Sequence, residues 1–72
     1  MHRKKFLNLA AEGFRKAAQR KPDFAQAHHR LGKVYQELGE KDKARQAYEA
    51  ALKLAPDLRE AKMDLEKLNK GK

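Results

Sequence analysis

The chain has 72 residues, a net charge of +8 and no cysteine. A chain of this length forms one small domain with a limited core, and without cysteine it has neither a disulfide nor a thiolate metal site to stabilise it. These properties argue against a deep catalytic cleft and leave helix packing, or self-association, as the source of stability.

The first predicted helix covers residues 4–20. Its apolar residues recur at the spacing i, i+3, i+4 and i+7, which is typical of one face of an amphipathic helix. It ends before Pro22, because the residue preceding a proline is pushed out of helical geometry. Glu12 and Arg15 interrupt the apolar run too early for a signal peptide, and no stretch is long enough for a membrane span, so we expect a soluble chain.

The second helix is predicted over residues 24–38. Asp23 precedes it as an expected N-cap, with Gln26 three residues later in the position of a capping box. Gly39 is its expected C-terminal stop.

The third and fourth helices are predicted over residues 42–54 and 58–69, with Asp42 and Asp57 as their expected caps. Ala, Leu, Lys, Arg, Glu and Gln dominate the whole chain, and these residues favour helix. The prediction is therefore an all-α fold of four helices, followed by a frayed tail at residues 70–72.

The sequence aligns with itself when it is shifted by 34 residues. Small residues fall on small residues, aromatic on aromatic, and loop residues on loop residues. The aligned pairs include Ala10 with Ala44, Phe14 with Tyr48, Ala17 with Ala51, Pro22 with Pro56 and Leu31 with Leu65.

Residues 25–58 resemble one complete tetratricopeptide repeat, a helical hairpin with this period. His28 stands where the repeat usually has tryptophan, and we interpret it as a packed residue. The resemblance implies an α-solenoid of antiparallel helices, built as a scaffold for protein–protein interaction. The positions that carry the resemblance are packing positions: Leu31, Gly32, Tyr35, Ala44, Tyr48, Ala51 and Pro56.

The flanking segments resemble half repeats within a single domain of residues 1–72. Residues 1–24 match the second helix of a preceding repeat, and residues 59–69 match the first helix of a following one. Glu66 replaces the glycine of the repeat pattern in the last helix, which therefore resembles a polar capping helix. The first helix has no such cap, so we expect part of its apolar face to be uncovered, as in a fragment of a longer array, an engineered chain or a homodimer.

The resemblance also implies a partner-binding groove on the concave surface formed by the first helix of each repeat. His29 is interpreted either as solvated helix surface or as part of this groove. Arrays that clamp a C-terminal carboxylate place lysine at the position of His29 and asparagine at that of Lys33, and this pair is missing. The expected ligand is a peptide or partner helix, with an acidic peptide as one option, and the bland alternative is an ordinary solvated face. The groove candidates are Gln26, His29, Lys33, Gln36, Met63 and Lys67.

The first helix is strongly basic, since residues 1–21 carry seven lysines or arginines against Glu12, a net charge of +6. Such a surface attracts anions over long range. Nucleic acid is disfavoured, because Phe6 and Phe14 lie on the apolar face and are better used in packing than in base stacking. The anion-binding candidates, otherwise solvated surface, are Arg3, Lys4, Lys5, Arg15, Lys16, Arg20 and Lys21.

The sequence predicts no enzyme, metal or cofactor. It contains no glycine-rich phosphate loop and no Ser/His/Asp set. His28 and His29 are adjacent and point about 100° apart on a helix, so they cannot chelate one ion together. The leading hypothesis is an interaction scaffold, and the alternatives are a self-assembling repeat unit and an anion-binding module.

Overall fold

A computed structural model of the protein describes residues 3–21 and 23–70. It contains four α-helices and, within those residues, no strand: α1 (Arg3–Arg20), α2 (Ala25–Glu37), α3 (Lys41–Leu54) and α4 (Arg59–Lys70). The all-α prediction is confirmed, and every helix boundary lies within one residue of the predicted one. Lys70, predicted to fray, belongs to α4, while Pro22 and the end of the predicted tail, Gly71 and Lys72, lie outside the described residues.

Gly39 ends α2 as predicted. Its backbone has a φ of +83°, in the left-handed region that glycine adopts without a steric penalty. The Gly39 N–H donates to the Gln36 carbonyl at 3.0 Å, and the Glu40 N–H donates to the Tyr35 carbonyl at 2.9 Å. These two bonds form a Schellman motif, which satisfies the last carbonyls of α2 and reverses the chain directly into α3.

The prediction that Asp23 and Asp57 cap α2 and α4 is wrong. The N-cap of α2 is Phe24, with no side-chain capping bond among the described atoms. The helix α4 begins at Arg59, so Leu58 and not Asp57 is the residue directly before it. The Leu58 N–H donates to the Ala55 carbonyl at 3.0 Å, which closes a turn with proline as its second residue and Asp57 as its third. Asp57 therefore lies within the turn, one residue before the position from which an N-cap residue would act.

The predicted cap of α3 is also wrong, because α3 begins one residue earlier. Glu40 is its N-cap, again without a side-chain capping bond in the described part of the chain. Asp42 lies in the first turn and accepts a hydrogen bond from Arg45 Nη2 at 3.2 Å. A carboxylate there still favours the helix through the helix dipole.

The helices pack in chain order, and α2 also contacts α4. One apolar cluster lies between α1 and the α2–α3 hairpin and is centred on Ala11, Leu31, Val34 and Ala47. A second cluster lies between the hairpin and α4, where Ala44, Tyr48, Leu65 and Leu68 meet. The hairpin therefore has two covered sides, one against each flanking helix.

The close approach of α2 and α3 depends on Gly32. A Cβ atom placed on Gly32 would lie 2.7 Å from both Cδ1 and Cε1 of Tyr48. Tyr48, Ala44 and Ala51 are fully buried, as predicted for packing positions. The Tyr48 ring thus occupies the space that any larger residue at position 32 would need.

Candidate functional site

A groove of about 400 Å³ opens to solvent on the surface shared by α2 and α4. Lys33, Gln36 and Glu37 line it from α2, Asp64 lines it from α4, and Tyr48 of α3 contributes to its lining between them. We call this feature the α2–α4 groove. Of the six groove candidates predicted from the sequence, it includes Lys33 and Gln36.

Two hydrogen-bonded side chains organise the floor of the groove. The Tyr48 hydroxyl donates to Gln36 Oε1 at 2.8 Å. Burial, and then the negative charge of Asp64, raise the pKa of Tyr48 to about 12, so the hydroxyl keeps its proton across the physiological range. Because Oε1 accepts this proton, the amide group of Gln36 is oriented with its N–H groups available to other acceptors.

His29 is buried beneath the groove and not solvated, which corrects one of its two predicted interpretations. Its Nε2–H donates to Asp64 Oδ2 at 2.7 Å, and its ring lies 5.8 Å from the Tyr48 ring, centroid to centroid. The side chain is 9% exposed, so it has almost no surface to offer a ligand. His29 joins α2 to α4 and positions Asp64 at the edge of the groove.

The tetratricopeptide repeat family model matches the two helices that hold most of this geometry, over residues 25–58. Residues 25–58 are a tetratricopeptide repeat. A search of curated proteins found no match to the chain. Repeats of this kind are generally protein–protein interaction modules.

The six groove candidates separate into three groups around the repeat. Lys33 and Gln36 line the α2–α4 groove together, and His29 lies buried beneath it. Gln26, Met63 and Lys67 are exposed, and these three described residues do not line the groove.

Three lining residues were missed as groove residues by the sequence reasoning: Glu37, Tyr48 and Asp64. Tyr48 was expected as a packing position of the repeat, and it packs against Leu65 and Leu68 of α4 while also reaching the groove. Asp64 carried one usable signal, because it follows His29 by one repeat and one residue, and equivalent helices of neighbouring repeats lie side by side. A histidine and an aspartate at that separation can meet across α2 and α4.

The basic candidates of α1 do not form one cluster. Lys4, Lys5, Arg15 and Lys21 are exposed, and no side-chain description exists for Arg3. Lys16 and Arg20 are brought together at a surface notch of about 430 Å³, whose other lining residues are Gly13, Ala17 and Gln19.

His28 is half-buried, in partial agreement with its predicted packing role, and lines a shallow pocket with Leu31 and Tyr35. Among residues 3–21 and 23–70, no group of three His, Cys, Asp or Glu side chains is arranged to hold a metal ion. None of the four described helices is long and apolar enough to cross a membrane.

Proposed function

We propose that the repeat binds an extended peptide or a partner helix in the α2–α4 groove. The proposal rests on the polar side chains that surround this groove. They lie on the surface shared by α2 and α4, around an open volume of about 400 Å³. A preorganised groove lowers the entropic cost of binding, because its own side chains lose little freedom when the ligand arrives.

The groove offers hydrogen-bond donors on successive turns of α2. Lys33 supplies an ammonium group, and the orientation of Gln36 imposed by Tyr48 makes its amide N–H groups available. These donors suit the carbonyl groups of a peptide backbone or an amide or carboxylate side chain of the ligand.

The charges of the groove are mixed. Lys33 is balanced by two carboxylates, Glu37 and Asp64. A strongly acidic peptide would be repelled by those carboxylates, so this groove favours a ligand with both polar and charged side chains of either sign. The acidic partner considered from the sequence is better matched to α1.

The proposal is tested by selecting short peptides from a random display library on the intact chain and measuring their affinities by fluorescence anisotropy. Lys33→Glu combined with Gln36→Ala should weaken selected peptides about tenfold or more. Lys53→Glu combined with Gln46→Ala makes the same two changes on the exposed surface of α3 and should leave affinity nearly unchanged.

Peptides that bind the wild type and both double variants equally would refute the groove as the binding site. His29→Ala is a poor probe of ligand contact, because it removes a buried side chain and leaves Asp64 without its donor.

A further inference from the structure

An apolar surface remains open on α1. Phe6 is 71% exposed and Leu9 is 59% exposed, and one and two turns further along the same side of the helix lie Gly13 and Ala17. We call these four residues the α1 stripe. Leu7, Ala10 and Phe14 pack against the hairpin core, so the apolar surface of α1 continues from the core out into solvent.

The internal repeat shows that two of the stripe residues, Phe6 and Leu9, depart from the packing pattern of the solenoid, whereas Gly13 and Ala17 correspond to the buried Ala47 and Ala51. Under the shift of 34 residues, Phe6 and Leu9 correspond to Glu40 and Lys43. In the complete repeat these two positions form a surface ion pair with a separation of 3.1 Å. The stripe therefore places two large apolar side chains where the equivalent helix has a solvated charge pair.

The first turn of α1 is an addition of its own. The helix α3 begins at Lys41, which corresponds to Leu7, whereas α1 begins at Arg3. Phe6 thus lies on an extra turn without a helical equivalent in the complete repeat. That turn extends the apolar stripe beyond what the hairpin packing requires.

Gly13 forms a notch in the middle of the stripe. No described atom outside the local helix backbone lies within 4 Å of a Cβ placed on Gly13, whereas its equivalent, Ala47, is buried in the core. Glycine in the middle of a helix costs about 0.5–1 kcal/mol relative to alanine. The notch of about 430 Å³ next to Gly13 has the concave shape that receives a side chain from an approaching helix.

Cations lie beside and beyond the stripe: in projection Lys5 and Lys16 lie on its solvent side, and Arg20 lies in line with it, about one turn past Ala17. In helical projection Lys5, Lys16 and Arg20 lie within about 40° of Leu9. Lys16 and Arg20 also line the notch, and Glu12 is the one acidic residue among residues 1–21. A helix lying along the stripe would place its own flanking residues beside these cations.

We propose that the α1 stripe is a docking site for an acidic amphipathic helix of another protein. Its apolar side chains cover Phe6 and Leu9, one of them enters the notch at Gly13, and its Asp or Glu residues face Lys16 and Arg20. Each large apolar side chain removed from water stabilises such a complex, and the charge pairs select the acidic partner and accelerate its association.

Charge argues against a second copy of this chain as the occupant. Two stripes facing each other would bring together two helices that are both strongly basic, with Glu12 as the single acid on each. A membrane surface fits the stripe less well than a helix does. Two large apolar side chains are few for insertion into a membrane interface, and a fluid surface presents no fixed side chain to fill the notch.

The test uses a fluorescent helical peptide with leucine at the positions i, i+3, i+4 and i+7 and glutamate on both flanks, together with the same peptide carrying lysine in place of each glutamate. The glutamate peptide should bind the intact chain at least tenfold more tightly than the lysine peptide. Its affinity should fall as salt is added, since screening weakens the charge contacts.

The variants locate the site. Phe6→Ala with Leu9→Ala, and separately Gly13→Leu, should each reduce affinity for the glutamate peptide at least tenfold. All three positions are exposed, so circular dichroism should show the helices intact. Leu54→Ala with Met63→Ala serves as the matched control, because these two exposed apolar residues lie on α3 and α4, line neither the notch nor the α2–α4 groove, and should leave this affinity unchanged.

Three results would overturn the proposal. One is that the wild-type chain binds the two peptides with equal affinity, or that the stripe variants bind the glutamate peptide as tightly as the wild type does. Another is a dimer in sedimentation experiments that Phe6→Ala with Leu9→Ala dissociates, which would make a second copy the occupant. The last is binding to vesicles of mixed phosphatidylcholine and phosphatidylserine without binding to the glutamate peptide, which would assign the stripe to a membrane surface.

Discussion

Gly32 and Gly13 provide a matched pair of substitutions with opposite expected effects on stability. Both lie inside helices, so replacing either by alanine gains about 0.8–1 kcal/mol in helix propensity. They differ in their surroundings. A Cβ at position 32 would lie 2.7 Å from two ring atoms of Tyr48, whereas no described atom outside the local backbone lies within 4 Å of a Cβ at position 13.

The overlap at Gly32 is costly because the Tyr48 ring has little freedom to move. It is fully buried, its hydroxyl is bonded to Gln36, and it packs against Ala44 and Leu68. Overpacking of this kind costs about 1–3 kcal/mol, and displacement of the ring also weakens a hydrogen bond worth about 1 kcal/mol. After the gain in propensity, Gly32→Ala should lose about 1–2 kcal/mol, while Gly13→Ala should gain up to about 1 kcal/mol.

Urea unfolding followed by circular dichroism measures both variants against the wild type. Because about 1 kcal/mol shifts the melting temperature of a domain of this size by about 4–8 °C, thermal scans should separate the two variants clearly. If Gly32→Ala is as stable as Gly13→Ala, the close approach of α2 to Tyr48 is not a constraint on the fold, and the packing account of this glycine is wrong.

Two further predictions concern the polar groups beneath the groove. Folding raises the pKa of Tyr48 from 10.0 to about 12, so the unfolded chain loses this proton at a lower pH than the folded chain does. The free energy of unfolding should therefore fall by about 2–3 kcal/mol as the pH rises from about 10 to 12. Urea unfolding repeated across that range measures the loss, which should be absent in Tyr48→Phe. Asp64→Ala should destabilise the fold by about 1–3 kcal/mol in urea unfolding, because buried His29 loses its acceptor. Asp42→Ala breaks an exposed pair with Arg45 and should cost less than about 1 kcal/mol. Equal losses would show that the buried His29 bond contributes no more to stability than the exposed pair.

The helices and their order were predictable because the signals are local and repeated. Gly39 marks the end of α2 by a backbone conformation that other residues adopt with difficulty, and the period of 34 residues carries one hairpin onto its neighbours. The close approach at Gly32 followed from the same pattern. These features depend on residues near in sequence or on a repeat that the sequence displays.

The helix caps and the groove depend on geometry that the sequence does not display. Asp23 and Asp57 have suitable side chains for capping, but the turns that precede the helices place each one residue too early. His29 is a polar residue whose buried position involves contacts with distant parts of the chain: it is hydrogen-bonded to Asp64 of α4, 35 residues away, and its ring lies beside that of Tyr48.

The apolar face of α1 was likewise predictable in part from the sequence pattern, while the rest depends on the packing geometry. Periodicity placed Phe6 and Phe14 on one wide apolar face of the helix without including Leu9, and the expectation of an incompletely covered face is confirmed by the exposure of Phe6 and Leu9. A sequence pattern gives the width of an apolar face, whereas the width of its covering depends on how α2 crosses α1.

The two sides of the repeat hold their neighbours by different chemistry. Towards α4, contact includes a directional bond, from His29 to Asp64. Towards α1, the contact is centred on the apolar cluster of Ala11, Leu31 and Val34. Directional bonds permit a single register and penalise sliding, whereas dispersion contacts tolerate small shifts at little cost. The repeat therefore requires a particular side chain from its C-terminal neighbour, whereas its N-terminal neighbour only has to fit by shape. We expect that a related helix could replace α1 with fewer compensating changes than a replacement of α4 would need.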